Sequence, residues 1–325
     1  IMDTKISLGF FPTPLEKLSN LSKKYSNYTI YIKRDDQTGL ATGGNKTRKL
    51  EYLIQDAINK NCNTIITAGA QQSNHCRQTA AACAKLNLAC HLLLGGVEPK
   101  VYTGNLLLSK QLGATMHFTG SHRKGEDFKI LYQKLLDENL QPYIIPYGGS
   151  NLIGAMGFVD AVKELKDQLG AKKLNIDAIF FASSSGGTQA GLHLGKLLYN
   201  LNSKLYPIAI DKSELEGKPL NKVVFSIVKE GMQALELKNE IEIKDCSLIE
   251  TYNNAGYGNI TDNERFAIEI LAKNEGILLD PVYTSRAFYG MLDMLNNKEL
   301  PANATILFWH TGGIPASFYY SNELQ

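Results

Sequence analysis

Strand-like and helix-like segments alternate along this chain. A short β-rich run at 64–67 is followed by a helical stretch at 73–88, rich in alanine and interrupted by neither glycine nor proline. The pattern continues as strand 90–94, helix 104–112, strand 114–118, helix 124–138, strand 142–145 and helix 152–169. It resumes with strand 178–182, helix 188–198, strand 205–210 and helix 218–235, and closes with helices at 262–274 and 285–295 and a strand at 304–309. Such alternation predicts parallel strands joined by right-handed crossovers, an α/β fold whose ligand sites lie at the carboxyl ends of the strands. No solenoid-length repeat, low-complexity tract or Pro/Ser-rich linker divides the chain, and two compact lobes sharing a cleft are expected.

Composition narrows the function classes. The 325 residues are 44% hydrophobic and 20% charged, enough for one large domain or two smaller ones with their own cores. Lys and Arg number 34 against 32 Asp and Glu, and a net charge of +2 argues for neither nucleic acid nor a membrane surface as partner. The longest apolar runs, 178–182 and 304–309, are strand-sized and far short of a membrane span. No basic stretch leading into an apolar run opens the chain, so no signal peptide is expected. The five cysteines (Cys62, Cys76, Cys83, Cys90 and Cys246) are odd in number and form no CxxC pair, which fits reduced thiols in a cytoplasmic protein. Neither HExxH nor a Cys/His cluster with zinc spacing occurs, so no metal is expected.

Three helix starts, two of them following strands, carry candidate chemistry. In Gly43-Gly44-Asn45-Lys46-Thr47-Arg48-Lys49, two glycines end a loop and a helix starts near Asn45, a good N-cap, with Leu50, Ile54 and Ala57 on one face. Lys46 then sits in the first helical turn, where the helix dipole opposes a cation and favours the free amine that a Schiff base needs. Lys49, on a neighbouring face, is placed to meet an anion such as phosphate; a basic solvated helix start is the plainer reading. Thr67-Ala68-Gly69-Ala70-Gln71-Gln72-Ser73-Asn74-His75 runs from a strand end through a polar loop, with Ser73 as N-cap and Asn74 able to bond an aromatic hydroxyl. Ser183-Ser184-Ser185-Gly186-Gly187-Thr188 follows the most apolar strand, and its small residues let backbone N–H groups and a helix N-terminus curl round an anion. No GK[ST] follows and it is not GxGxxG, so a phosphate ester smaller than a nucleotide is favoured. Tyr257 between glycines, Tyr283 in Asp-Pro-Val-Tyr-Thr and Thr311 in His-Thr-Gly-Gly are weaker signals, each also readable as packing.

Taken in order, GGNKTRKLEYL, ITAGAQQSNHCRQTAA, SSGGTQAGL, DPVYT and HTGGIPA resemble the D-cysteine desulfhydrase and 1-aminocyclopropane-1-carboxylate (ACC) deaminase family across nearly the whole chain. These are pyridoxal 5'-phosphate (PLP) enzymes of the tryptophan-synthase-β fold type. The resemblance implies two open, twisted, mostly parallel sheets with flanking helices and the cofactor in the interdomain cleft. It implies a large domain of 1–47 and 154–325, a small domain of 48–153, and a homodimer. It makes Lys46 the Schiff-base lysine and puts Asn74 on the phenolic oxygen of PLP. Ser185, Gly186, Gly187 and Thr188, with Lys49, hold the phosphate. Ser73, Asn74 and His75 face the substrate carboxylate, and Tyr257 and Tyr283 flank the reacting amino acid.

Two positions separate the activities within the family. ACC deaminases carry Glu after the DPVY tyrosine and Leu in the HxGG motif, whereas this chain has Thr284 and Thr311; it also has His75 where ACC deaminases usually carry Gln. A neutral hydroxyl near the pyridine nitrogen makes a weaker electron sink than a carboxylate does. That suits β-elimination of a good leaving group such as thiolate better than the opening of a cyclopropane. The expectation is D-cysteine breakdown to pyruvate, hydrogen sulfide and ammonia. ACC deamination, cleavage of L-cysteate or β-chloro-D-alanine, and a non-enzymatic PLP- or amino-acid-binding module stay open. A nicotinamide dehydrogenase is disfavoured by the missing GxGxxG.

Overall fold

The computed structural model describes residues 4–212 and 217–325. In chain order the elements are β1 (Leu15–Lys17), α1 (Ser19–Lys24), β2 (Thr29–Arg34), α2 (Lys46–Asn59), β3 (Thr64–Gly69), α3 (Asn74–Lys85), β4 (Ala89–Leu94), α4 (Gly104–Gln111), β5 (Thr115–Phe118), α5 (Phe128–Asp137) and β6 (Pro142–Ile144). There follow α6 (Leu152–Lys172), β7 (Ala178–Ser183), α7 (Gly187–Leu198), β8 (Lys204–Ala209), α8 (Leu220–Ala234), α9 (Asp262–Glu275), α10 (Thr284–Asn296), β9 (Thr305–His310) and α11 (Ala316–Tyr319).

The strands form two sheets, ordered β1-β2-β9-β7-β8 and β5-β4-β3-β6. Every pairing is parallel except that of the edge strand β1 with β2. Parallel sheets covered by helices bury both faces, and the strand sequences obey this. In the four-stranded sheet Ile65, Cys90, Leu92 and Leu94 face a core shared with α2 and α3, while Ile66, Ala68 and Leu93 face Leu131 and Leu135 of α5. In the five-stranded sheet Ile30, Ile32, Phe180, Ile306 and Phe308 pack on α9 and α10, and Ile179, Phe181, Leu307 and Trp309 pack on α6. Each fully buried Leu, Ile or Phe contributes roughly 1.5–3 kcal/mol.

The strand–helix alternation from 64 to 209 is read correctly from the sequence. β1, α1, β2 and α11 are not. β2 hides itself because it ends in two cations: Lys33 is fully buried, donating to Glu164 Oε2 at 2.5 Å and Gln168 Oε1 at 2.7 Å. Glu164 also receives Arg48 at 2.8 Å, and Arg48 pairs with buried Asp35 at 2.7 Å. This network ties β2, α2 and α6 together. α5 begins at Phe128 rather than at 124, because Gly125 takes φ +94°, a left-handed conformation outside any helix. Among the described residues no helix is long and apolar enough to cross a membrane, and all five cysteines are free thiols.

Candidate active site

The carboxyl ends of strands from both sheets open onto one cleft, enclosing about 680 Å³ with its mouth included. Ala70 follows β3, Tyr147 and Gly148 follow β6, Ser184 to Gly186 follow β7, and Thr311 follows β9. Lys46, Ser73, Asn74, His75, Thr188, Tyr257 and Tyr283 complete the wall. Lys49 and Gly187 lie directly behind it.

Lys46 occupies the first position of α2. Its Nζ donates to the carbonyl of Gly148 at 2.8 Å, and Lys49 Nζ reaches the same oxygen at 3.2 Å. Burial brings the Lys46 amine down to about 8. The same burial, with Lys46 beside it, takes Lys49 well below the ordinary lysine range. Burial thus acts on this amine beside the helix start anticipated from sequence. Asn45 holds the N-cap position but does not cap: its backbone is already helical, and its amide donates to Thr188 Oγ1 at 3.1 Å, tying the start of α2 to the start of α7. Ser73 does cap α3, accepting from Cys76 N at 3.1 Å.

The junction before α7 is shaped for an anion. Gly186 has φ +96°, which favours glycine, and precedes the first helical turn. Gly187 N donates to Ser150 Oγ at 2.9 Å, and Ser150 Oγ donates to Ser185 Oγ at 2.7 Å. A Cβ on Gly187 would lie 2.8 Å from Ser150 Oγ and 3.1 Å from Lys49 Nζ, so hydroxyls, a helix N-terminus and a buried lysine nitrogen converge where a side chain has no room. Among the described residues neither Lys46 nor Lys49 has a carboxylate partner. Two buried amines on one carbonyl, facing a glycine cradle, fit a phosphate ester that supplies the missing negative charge.

On the opposite wall Tyr257 and Tyr283 share a hydrogen bond between their hydroxyls, with rings edge to face at 5.7 Å. Burial raises both phenols, Tyr283 well above the usual range, so both are protonated at neutral pH. Asn74 keeps its Oδ1 on Asn105 Nδ2 at 2.8 Å. His75 lines the cleft with its Nε2 engaged and its Nδ1 without a partner among the described residues. Thr67 Oγ1 donates to Ile145 O at 2.9 Å and so accepts from His75 Nε2 at 2.9 Å, and burial holds the imidazole neutral. The ring therefore brings no charge to the cleft.

Thr284 does not reach the wall. It is fully buried, and its hydroxyl donates to Asp280 Oδ1 at 2.6 Å. Asp280 also accepts from the backbone N–H groups of Val282, Tyr283 and Thr284 at 2.7–3.0 Å, so this pair builds the start of α10 and aims Tyr283. Thr311 does line the cleft, and its carbonyl accepts from Asn45 N at 3.0 Å.

Sequence reasoning passed over Tyr147, Gly148, Ser150 and Arg123. Arg123 stacks over the Tyr257 ring at 4.4 Å, donates to Tyr147 Oη at 3.0 Å and pairs with Asp211 at 2.9 Å. The signal for Tyr147 to Ser150 was present: Tyr-Gly-Gly-Ser stands between a short strand and a long helix, the same kind of junction as the serine-glycine loop. Arg123 had none, since a lone arginine in a polar loop reads as solvated.

The profile of the family described as "Pyridoxal-phosphate dependent enzyme" matches residues 6–312. A D-cysteine desulfhydrase of Klebsiella pneumoniae is 40% identical over 319 residues, covering 96% of this chain and 95% of that protein. A Pyrococcus abyssi protein provisionally named 1-aminocyclopropane-1-carboxylate deaminase is 37% identical over 323 residues, covering 98% of this chain and 94% of that protein. A solved structure described as an ACC deaminase homologue superposes with a TM-score of 0.89 at 38% identity, over 99% of this chain and 95% of that one. A threonine deaminase from Solanum lycopersicum, at 18% identity and a TM-score of 0.66 over 96% of this chain and 82% of that one, shares the fold. The chain belongs to the pyridoxal-phosphate dependent enzymes, among relatives named D-cysteine desulfhydrase and ACC deaminase, and pyridoxal 5'-phosphate is its cofactor.

Proposed function

We propose that this enzyme is a carbon–sulfur lyase that converts D-cysteine and water to pyruvate, hydrogen sulfide and ammonia. The observation that carries the reading is the charge of the cleft: none of its described lining residues is an acid, and Thr311, which this reading sets by the cofactor's ring nitrogen, is neutral. Relatives named D-cysteine desulfhydrase at 39–40% identity support it. In this reading Lys46 carries the cofactor. Ser185, Gly186, Gly187, Thr188 and Lys49 hold its phosphate, Asn74 meets its phenolic oxygen and Thr311 lies by its ring nitrogen, with Thr284 one layer behind. The cofactor, when bound, takes up the electron pair left as a proton leaves Cα.

The remaining work falls to side chains of this chain. Lys46, with its amine held near neutrality by burial, is the base that takes the α proton. Ser73 Oγ and the N-terminal N–H groups of α3 hold the substrate carboxylate, a role the neutral His75 ring leaves to the backbone. Tyr257 and Tyr283, protonated and hydrogen-bonded to each other, supply the proton that the departing thiolate takes up. ACC deamination is the second reading, favoured by the Pyrococcus relatives and the ACC deaminase homologue.

The test is product formation by the holoenzyme. D-Cysteine, L-cysteine, β-chloro-D-alanine, L-cysteate and ACC are supplied in turn, with pyruvate, sulfide and 2-oxobutyrate measured. Sulfide and pyruvate in equal amounts from D-cysteine, with little 2-oxobutyrate from ACC, are expected. Preference for ACC overturns the assignment.

A further inference from the structure

Arg77, on the second turn of α3, is fully buried and makes no ion pair among the described residues. Burial lowers it to about 10, so it is still a cation at neutral pH. A buried cation without a carboxylate is costly; its Nε has no partner among the described residues, and its two terminal nitrogens serve two separate segments. Nη2 donates to the carbonyl of Gly43, in the loop that delivers Lys46. Nη1 donates to Asn105 Oδ1 at 2.9 Å.

That second contact fixes everything beyond it. With its oxygen committed to Arg77, Asn105 must present Nδ2 on its other side, and both hydrogens are used: one on Gln72 O at 2.8 Å, one on Asn74 Oδ1 at 2.8 Å. Asn74 therefore has its oxygen turned away from the cleft it lines, and its amide nitrogen is left on the open side, 2.9 Å from where a Cβ on Gly313 would stand. An amide that is otherwise free to flip by half a turn is locked as a donor.

We propose that Arg77 and Asn105 are positioning residues whose hydrogen-bond relay holds the Asn74 side chain as a donor toward the cofactor's phenolic oxygen. This rests on the reading that Asn74 meets that oxygen. A donor there stabilises the deprotonated oxygen and lowers the pH at which the proton shared between it and the Lys46 nitrogen is lost.

Asn105→Asp tests the relay with little change of volume. The carboxylate still accepts from Arg77 but has no hydrogen to give, so Asn74 turns over to donate to it and shows its oxygen to the cofactor. The readout is the visible absorbance of the PLP-loaded protein titrated with pH, for wild type, Asn105→Asp, Asn105→Ala and Asn74→Ala. The expected result is an upward move of the spectral midpoint by about one pH unit in Asn105→Asp and in the same direction in the two alanine variants. A shift in Asn74→Ala with wild-type midpoints in both Asn105 variants overturns the relay. A wild-type midpoint in Asn74→Ala instead overturns the placement of Asn74 at the phenolic oxygen, and the relay's purpose with it. If Asn105→Asp does not hold PLP, Asn105→Ala decides by the same criterion.

Discussion

Burial takes the Lys46 amine down to about 8, and that shift has a thermodynamic consequence at the scale of the single residue. The unfolded chain holds a lysine near ~10.4. Between the two values it binds more protons than the folded one, so the stability of the cofactor-free protein rises as pH rises from about 8 to ~10.4. Below that window the full cost of the buried ammonium remains. Lys46→Met is therefore expected to melt higher than wild type at pH 7 without cofactor, by on the order of 1–3 kcal/mol. Its stability should also rise less steeply with pH, with Lys49 and the other lysines that burial lowers, Lys33 among them, supplying the remaining rise. Thermal melts of the two cofactor-free proteins from pH 6 to 10 measure both; a variant less stable at pH 7, with an unchanged slope, contradicts this picture. The loop and helix start made Lys46 a candidate and the family resemblance singled it out, but the burial that lowers its basicity was not legible. The dipole argument needs only the sequence, whereas burial depends on Gly148 and Ser185, which lie more than a hundred residues further along the chain.

The junction before α7 is the element that most directly builds the site, and its two glycines act differently. Gly186 answers a backbone demand, φ +96°. Gly187 answers a demand for space, since a Cβ there would meet Ser150 Cα at 2.9 Å and Lys49 Nζ at 3.1 Å. Gly187→Val is expected to abolish PLP retention, while Ser185→Ala weakens it by roughly 0.5–1.5 kcal/mol, about one neutral hydrogen bond. Dialysis of loaded protein followed by cofactor absorbance measures the difference, and equal retention in the two variants counts against a site built by close packing. Elements of this kind were readable because apolar strand, small-residue loop and amphipathic helix follow one another within a few positions. β2 was not: its alternation runs into Lys33 and Arg34, and a buried lysine is acceptable there through Glu164 and Gln168 on distant α6 and the carbonyl of Thr13. Thr284 shows the same limit in reverse. Its motif was plain, but its hydroxyl serves Asp280 and the start of α10, which no local pattern reveals.

In the whole molecule the cleft lies where two mostly parallel sheets bring their carboxyl ends together. Arg123, from the loop between β5 and α5, spans it to Asp211 just past β8 while covering the Tyr257 ring. Arg123→Gln is expected to raise KM for D-cysteine several-fold with a smaller change in cofactor retention, because the phosphate loop is untouched. An unchanged KM removes Arg123 from substrate capture. The α/β class and the layered order of most elements were legible from hydrophobic periodicity, and the site from five motifs taken in order. The contacts across the cleft were not, since each pairs residues with unremarkable surroundings in sequence. The account as a whole stands on Lys46 as the residue that holds pyridoxal 5'-phosphate. Borohydride reduction of the loaded enzyme, followed by proteolysis and mass mapping, fixes the cofactor to whichever lysine carries it. The pyridoxyl group is expected on Lys46 alone; its appearance on Lys49, three residues along the same helix, or on any other lysine contradicts the assignment.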